Sequence, residues 1–387
     1  MISRFCLGVG LIALMLVASF GTYTYLGGRQ SKVAVVAQKP TSASPRPNAF
    51  ILPGTLYLSQ SGAIYSLSFG RFHQLTAQDG WTQPALYPDG RYLIVVHRLY
   101  DHSDVLLLSR FGQPLQQLTS NKGSALDTGT SHWSFYPRVS SNPATLWMSY
   151  DEPKIGYDVP LSIWAVPVGS SIGQGKLWTN SIDYTGGDVE PIPLRTGGIM
   201  YTKYSRDDNA NLTGQLWLAM RPTRPPVGET LTTDGAEGQP LTSTDEDCAQ
   251  PAISPDGGQV AMICTYQKQI SYLVLASWNG SSLGPRRAVI TDQLVAQPTW
   301  APDGSGIAYL APGAGASNFQ LWFLPKARYN PPPPSPIPVP TPTPGGPYHG
   351  PAPSPTPAPP VAAPVVNPIQ ITMNAGFDAT SPLAWAG

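Results

Sequence analysis

Cysteine is nearly absent from this chain: Cys6, Cys248 and Cys264 are the only three in 387 residues. Three scattered thiols build neither a zinc cluster nor the disulfide framework of a small secreted domain. Charge is scarce too. Asp, Glu, Lys and Arg make up 12% of the residues, against about 25% in an average globular protein. The 23 basic residues balance the 23 acidic ones, which argues against a nucleic-acid partner held by a basic surface. No H-E-x-x-H and no G-x-x-x-x-G-K occurs, and no nucleophile elbow is expected. The five histidines, His73, His97, His102, His132 and His349, form no ligand-spaced pair on one predicted strand.

The one long apolar run lies at the start. Arg4 precedes an uncharged stretch from Phe5 to Leu26, about the twenty residues that a bilayer-spanning helix needs. Two readings are open for residues 1–28: an uncleaved transmembrane signal anchor, or a signal peptide cut after Ser19, with Val17 and Ser19 as its small residues. Cys6 comes too early for a lipoprotein site. Arg4 on one flank and Arg29 and Lys32 on the other leave the orientation open. The downstream domain is expected to be exported, to the periplasm or beyond. Residues 29–50, mostly small or polar with Pro40, Pro45 and Pro47, read as a tether.

Beyond the tether the chain repeats. Gln250 to Cys264 reads QPAISPDGGQVAMIC, a strand, a Ser254-Pro255-Asp256-Gly257 turn and a return strand. QPALYPDGRYLIVV from Gln83 and QPTWAPDGSGIAYL from Gln297 repeat the unit. The unit from Ser131 has lost the turn consensus over His132 to Pro137, and the one from Glu190-Pro191 keeps Pro and Gly without Asp. A third strand comes next with an aliphatic and then a large residue, as in Ile64-Tyr65, Ile163-Trp164, Leu216-Trp217 and Leu321-Trp322. A fourth strand ends in Thr, as in Leu75-Thr76, Leu118-Thr119, Trp178-Thr179, Leu241-Thr242, Ile290-Thr291 and Ile371-Thr372. Six four-stranded units of blade size predict an all-β six-bladed propeller over residues 51–387. The first unit lacks its innermost strand, and Ser381 to Trp385 supplies it from the other end of the chain. That clasp removes the open edge. Residues 330–367, almost all Pro, Thr, Ala, Ser and Gly, read as a low-complexity insertion between the last two strands of the sixth blade.

The Pro-x-apolar-x-Pro-Asp-Gly hairpin resembles the TolB-type, WD40-like propeller repeat, over roughly Ala49 to Gly387 apart from the proline block. The resemblance implies six blades. It also implies a choice among protein-binding periplasmic propellers, propellers attached to peptidases, and a few lyases; the fold does not make that choice.

Four groups of residues are candidates for function. Aligning the innermost strands places Gln83, His132, Glu190, Gln250, Gln297 and Ser381 at one level of the channel, where they either solvate it or seat a polar ligand. His97 and His102 share a loop region with Asp101 and Asp104, where a solvated loop is the plainer reading and a metal the other. Cys248 and Cys264 flank their hairpin turn almost equally. A disulfide is expected, with two buried free thiols as the alternative, since a slip of one residue puts them on opposite faces.

The fourth group is set by topology. First-to-second and third-to-fourth turns share one end of a propeller, here the turn face. Second-to-third turns and blade-to-blade links share the other, the link face. Most carboxylates fall on the link face, most densely at Asp207-Asp208 and Asp245-Glu246-Asp247. They are either solvated or attract a basic partner, or Ca²⁺ as a lesser reading. The reading is a membrane-tethered propeller outside the cytoplasm that binds a protein or another envelope component and needs no cofactor. A carbohydrate- or peptide-cleaving enzyme and a structural envelope protein are its rivals. Trp164, Trp217 and Trp322 are expected to pack between blades.

Overall fold

The computed structural model describes residues 50–387, apart from 126, 142–143, 155–158, 183, 224–237, 267–269, 314–317 and 331–366. The expected leader and tether lie outside the described residues. Among those described, no helix is long and apolar enough to cross a membrane.

Six four-stranded antiparallel sheets succeed one another along the chain. The first is β24 (Ala384–Ala386), β1 (Thr55–Gln60), β2 (Ala63–Ser68) and β3 (Arg71–Gln74). The second is β4 (Trp81–Leu86), β5 (Tyr92–Arg98), β6 (Ser103–Ser109) and β7 (Pro114–Gln117). The third is β8 (Ser134–Ser141), β9 (Ala144–Tyr150), β10 (Ser162–Pro167) and β11 (Lys176–Leu177). The fourth is β12 (Asp188–Pro193), β13 (Ile199–Arg206), β14 (Leu212–Ala219) and β15 (Gly238–Pro240). The fifth is β16 (Cys248–Ile253), β17 (Gln259–Tyr266), β18 (Ile270–Ser277) and β19 (Arg287–Ile290). The sixth is β20 (Ala296–Trp300), β21 (Gly306–Pro312), β22 (Phe319–Pro325) and β23 (Ile369–Gln370). This is a six-bladed propeller. Residues 331–366 connect β22 to β23, the position read for the proline block.

Each middle strand buries both of its faces, because alternate side chains point to the two neighbouring blades. In β5, Leu93 and Val95 join an apolar cluster with the first blade, while Ile94 joins one with the third. In β17, Val260 and Met262 face the fourth blade, and Ala261 and Ile263 face the sixth. Six such clusters form, one at each junction. Trp164, Trp217 and Trp322 pack partly buried against them. The threonine that closes the fourth strand also has a clear task. The hydroxyls of Thr76, Thr119, Thr179, Thr242 and Thr372 accept the backbone N–H of Ile64, Val105, Ile163, Leu216 and Leu321 at 2.9–3.0 Å. Each continues its ladder by one bond where the main chain turns away.

Cys248 and Cys264 form a disulfide, and a β-bulge makes it possible. Ile253 pairs with Val260, a register that would put Cys248 opposite Thr265. The bulge between Ala249 and Ala252 shifts the register by one and brings Cys248 opposite Cys264.

The clasp closes the ring. Thr55, Leu56 and Tyr57 pair with Ala386, Trp385 and Ala384. Trp385 is buried against the first and sixth blades, and its indole N–H donates to the carbonyl of Pro53 at 2.6 Å. Trp385→Ala removes both contributions at the closing junction. Such a truncation costs about 3–5 kcal/mol, and urea unfolding should show that loss as a lower midpoint. An unchanged midpoint would mean that the clasp adds nothing to closure.

Candidate functional site

The innermost strands share a device that the turn motif does not reveal. In β4, Thr82 pairs with Val96 and Ala85 with Ile94, so Gln83 and Pro84 together oppose Val95. The same two-against-one bulge occurs at Tyr136-Pro137, Glu190-Pro191, Gln250-Pro251 and Gln297-Pro298. The first residue of each pair has positive φ, from 51° to 57°. A bulge leaves a backbone N–H without a ladder partner. Proline has none to lose, so one amide per bulge needs an acceptor.

At four of the five bulges the neighbouring blade supplies it. The Gln83 N–H donates to Ser381 Oγ at 2.8 Å, and the Tyr136 N–H to Gln83 Oε1 at 2.7 Å. The Gln250 N–H donates to Glu190 Oε2 at 2.9 Å, and the Gln297 N–H to Gln250 Oε1 at 2.7 Å. Gln297 Nε2 then donates to the carbonyl of Ala379 at 3.3 Å and toward Glu190 Oε1 at 3.5 Å. Ring residues thus bond directly across the junctions of the first and second, second and third, fourth and fifth, fifth and sixth, and sixth and first blades, where water had been expected between them.

His132 does not belong to this ring. β8 is longer than its counterparts and runs from Ser134 to Ser141, which pairs with Ala144 of β9, so the first-to-second connection of the third blade comes after Ser141 and not within His132 to Pro137. The ring position is Tyr136, four residues later, and the Tyr136-Pro137 step was the available signal. His132 lies ahead of β8. Its Nδ1 is 2.9 Å from Asp151 Oδ1, its ring stacks on Tyr150, and Lys154 holds the other Asp151 oxygen at 3.2 Å.

Two residues beyond the ring, Ala85, Arg138, Ile192, Ala252, Thr299 and Leu383 form a second level. With ring side chains they line a cavity of about 280 Å³. Glu190 and Arg138 are its charged members. Burial pushes the Glu190 carboxyl above the ordinary glutamate range, against the pull of hydrogen bonds from Thr202 and Gln297. Burial also lowers Arg138 and raises Tyr136, whose phenol further feels the Glu190 charge.

The other candidates take different places. His102 is buried with Nδ1 2.6 Å from Asp101 Oδ1 and Nε2 3.4 Å from Asp104 Oδ2. The hydrogen bond from His102 lowers Asp101. His97 instead stacks on Trp81 and faces Asp79. Among the described residues no group of three His, Cys, Asp or Glu is placed to hold a metal. In the acidic clusters, Asp207 Oδ1 accepts the amides of Asn209 and Asn211 within its own turn. Glu246 pairs with Arg286 at 2.8 Å and caps the Ser243 amide. Asp247 Oδ1 accepts the Gly214 amide at 2.7 Å. Asp208 and Asp245 are exposed.

Sequence reasoning missed the pair Asp188 and Lys203: it counted Asp188 with the carboxylates of the link face and made nothing of Lys203. Both are buried, with Lys203 Nζ 3.3 Å from Asp188 Oδ1 and 2.6 Å from the Asn180 carbonyl. Burial raises Asp188 while Lys203 opposes the shift. Opposite charges directly across a hairpin were the signal. Two G-x-S-x-G strings, at Gly169–Gly173 and Gly280–Gly284, do occur. Ser171 and Ser282 lie exposed in the β10–β11 and β18–β19 turns, unlike a nucleophile at a strand-to-helix elbow.

By sequence the chain matches no protein-family model and no curated protein. Solved structures align with it closely enough to compare folds. TolB from Acinetobacter baumannii aligns over 71% of this chain and 62% of its own, at 15% identity and a TM-score of 0.51. The fold is shared with TolB. Hydrazine synthase from Kuenenia stuttgartiensis aligns over 70% of this chain and 43% of its own, at 12% identity and a TM-score of 0.50. A puromycin-hydrolysing peptidase from Mycobacterium tuberculosis aligns over 71% and 45%, at 12% identity and a TM-score of 0.45. This chain therefore spans less than two thirds of that TolB, and identities this low establish architecture alone.

Glu190 gives a pH test. Its carboxyl is raised in the folded state, so the native protein holds the proton more tightly than the unfolded chain. Stability therefore falls as pH rises above the ordinary glutamate value of 4.5. Glu190→Gln removes that dependence and can still accept the Gln250 amide. The stability of this variant relative to wild type should rise from pH 4 toward neutrality. A difference that stays flat with pH would contradict a raised Glu190.

Proposed function

We propose that the chain is a protein-interaction module, tethered outside the cytoplasm by its N-terminal run, whose link face takes a basic partner. The observation that carries this reading is the character of that face. Asp79, Asp127, Asp208, Asp245 and Asp292 are exposed there. Between and beside them stand exposed apolar side chains: Leu99 and the fully exposed Tyr100 in the β5–β6 turn, Leu212, Ile270 and Leu294. These five carboxylates outnumber the exposed Arg98, Lys122 and Arg206 of the same face; aromatic and aliphatic anchors among charge of mainly one sign make a protein interface, and that sign sets the partner's charge. The latched channel fits the same reading, since its polar atoms bind one another and hold the blades.

Photocrosslinking residues placed at Tyr100 and at Asp208 in the membrane-held chain should capture one common protein, with salt lowering the yield. Asp208→Asn with Asp245→Asn should slow association without moving the unfolding midpoint. Asp247→Asn weakens the acceptor of the Gly214 amide and should cost about 1–2 kcal/mol of stability. Capture that is indifferent to Asp208 and Asp245, or seen only from the turn face, would overturn the assignment.

A further inference from the structure

We propose that the turn face is a docking surface for an anionic lipid bilayer, with Phe69 and Phe111 as its inserted side chains. The proposal rests on the reading that the N-terminal run holds the chain at a membrane. Phe69 and Phe111 stand in the β2–β3 and β6–β7 turns of neighbouring blades, 84% and 83% exposed. Neither can be explained by the fold. Ser68 pairs with Arg71 across the two-residue turn Phe69-Gly70, whose φ angles are 48° and 72°. Such a turn favours Asn-Gly, and a bulky side chain at positive φ is an outlier. Phe69 thus strains its own turn and gains no packing there. Strain of this kind collects where function requires the side chain.

The chain itself leads to this face. Thr55 opposite Ala386 puts the start of β1 at the turn end of its blade. Just ahead of it, Phe50 stacks on Phe323 at 4.9 Å with one side open, and Ile51 beside it is exposed. The sequence upstream, leading back to the apolar run Phe5 to Leu26, therefore joins the propeller on the face that carries Phe69 and Phe111.

Charge selects the lipid. Arg71, Arg91, Lys176, Lys326 and Arg328 are exposed in the turns of this face. These five cations outnumber the carboxylates of the described turns, Asp89, Asp256 and Asp303, which stay charged while each accepts an amide of its own turn. The link face is acidic and would be repelled by anionic headgroups. Aromatic side chains seat in the membrane interface, and basic residues near an anionic surface strengthen binding additively.

The test uses the full chain in the Cys6→Ser background, where Cys248 and Cys264 block each other. An environment-sensitive fluorophore is attached at Phe111→Cys, or at Asp208→Cys as the opposite-face control. Vesicles of phosphatidylcholine with phosphatidylglycerol, or of phosphatidylcholine alone, carry a nitroxide-labelled lipid as quencher. The probe at 111 should be quenched in the anionic vesicles, several-fold more than the probe at 208. Salt, or Arg71→Gln with Arg91→Gln, should reduce that difference. Phe69→Asn should weaken quenching at 111 without lowering Tm, since it supplies the residue that the turn prefers. Equal quenching at 111 and 208, or equal quenching without phosphatidylglycerol, would overturn the proposal. So would a blue-shifted probe that lipid does not quench, which means that protein covers the turn. Washing the vesicles with alkaline carbonate tests the tether separately. A chain that washes off refutes the anchor, and quenching at 111 on re-addition still reports the face.

Discussion

The structure depends on the backbone amides that bulges in its innermost strands leave without a ladder partner. A bulge in five of the six innermost strands, β4, β8, β12, β16 and β20, turns a backbone amide out of the ladder at the centre of the molecule, and leaving such a donor buried and unpaired costs roughly 1–3 kcal/mol. Water does not meet the need at Gln83, Tyr136, Gln250 and Gln297; a side chain from the preceding blade does. That requirement explains the residue types. The acceptor must be long enough to cross between blades and must sit where the chain itself bulges, and Gln or Glu before Pro meets both conditions. Ser381 fulfils it with a short hydroxyl where the clasp brings the last strand alongside. The latch and the bulge are thus one feature, which joins the first three blades to one another and the last three to one another and also sets the register that pairs Cys248 with Cys264.

Around that centre the division of labour is set by strand direction. Middle strands bury both faces, so nearly all apolar side chains go into the junctions and few charges can be placed inside. Charges and surplus aromatics are left to the two ends. There they divide unequally: exposed carboxylates outnumber exposed cations on the link face, beside Leu99, Tyr100 and Ile270, and the reverse holds in the described turns of the turn face, beside Phe69 and Phe111. A zero net charge conceals this polarity. A propeller held by one end and open at the other needs unlike ends, and the proposed roles of the two faces match that need.

Much of the fold was legible because its signals are local. Pro-Asp-Gly marks a tight turn by backbone preference, an unbroken apolar run such as Leu93 to Val96 marks a strand buried on both sides, and Thr at the end of the fourth strand marks a hydroxyl that replaces a ladder bond. The site was legible only where the repeat kept its spacing. Gln83, Glu190, Gln250, Gln297 and Ser381 could be aligned. Tyr136 could not, because β8 is longer and its turn lacks the consensus, so a count from the strand start fell on His132. The acidic clusters misled for another reason. Asp207, Glu246 and Asp247 look like surface charge, yet each is bonded within or beside its own loop. Asp188 looks like them and is buried, because its partner Lys203 is fifteen residues away in sequence and directly opposite in the hairpin.

Native-state hydrogen exchange at the bulge amides tests the latch most directly. If the neighbouring side chains hold them, the N–H groups of Gln83, Tyr136, Gln250 and Gln297 exchange only through global unfolding, with rates that rise steeply with denaturant. Gln83→Ala should then release the Tyr136 amide, leaving the Gln297 amide protected. Fast, denaturant-independent exchange at these four positions, or a Tyr136 amide indifferent to Gln83→Ala, would show that the blades are held together without the latch.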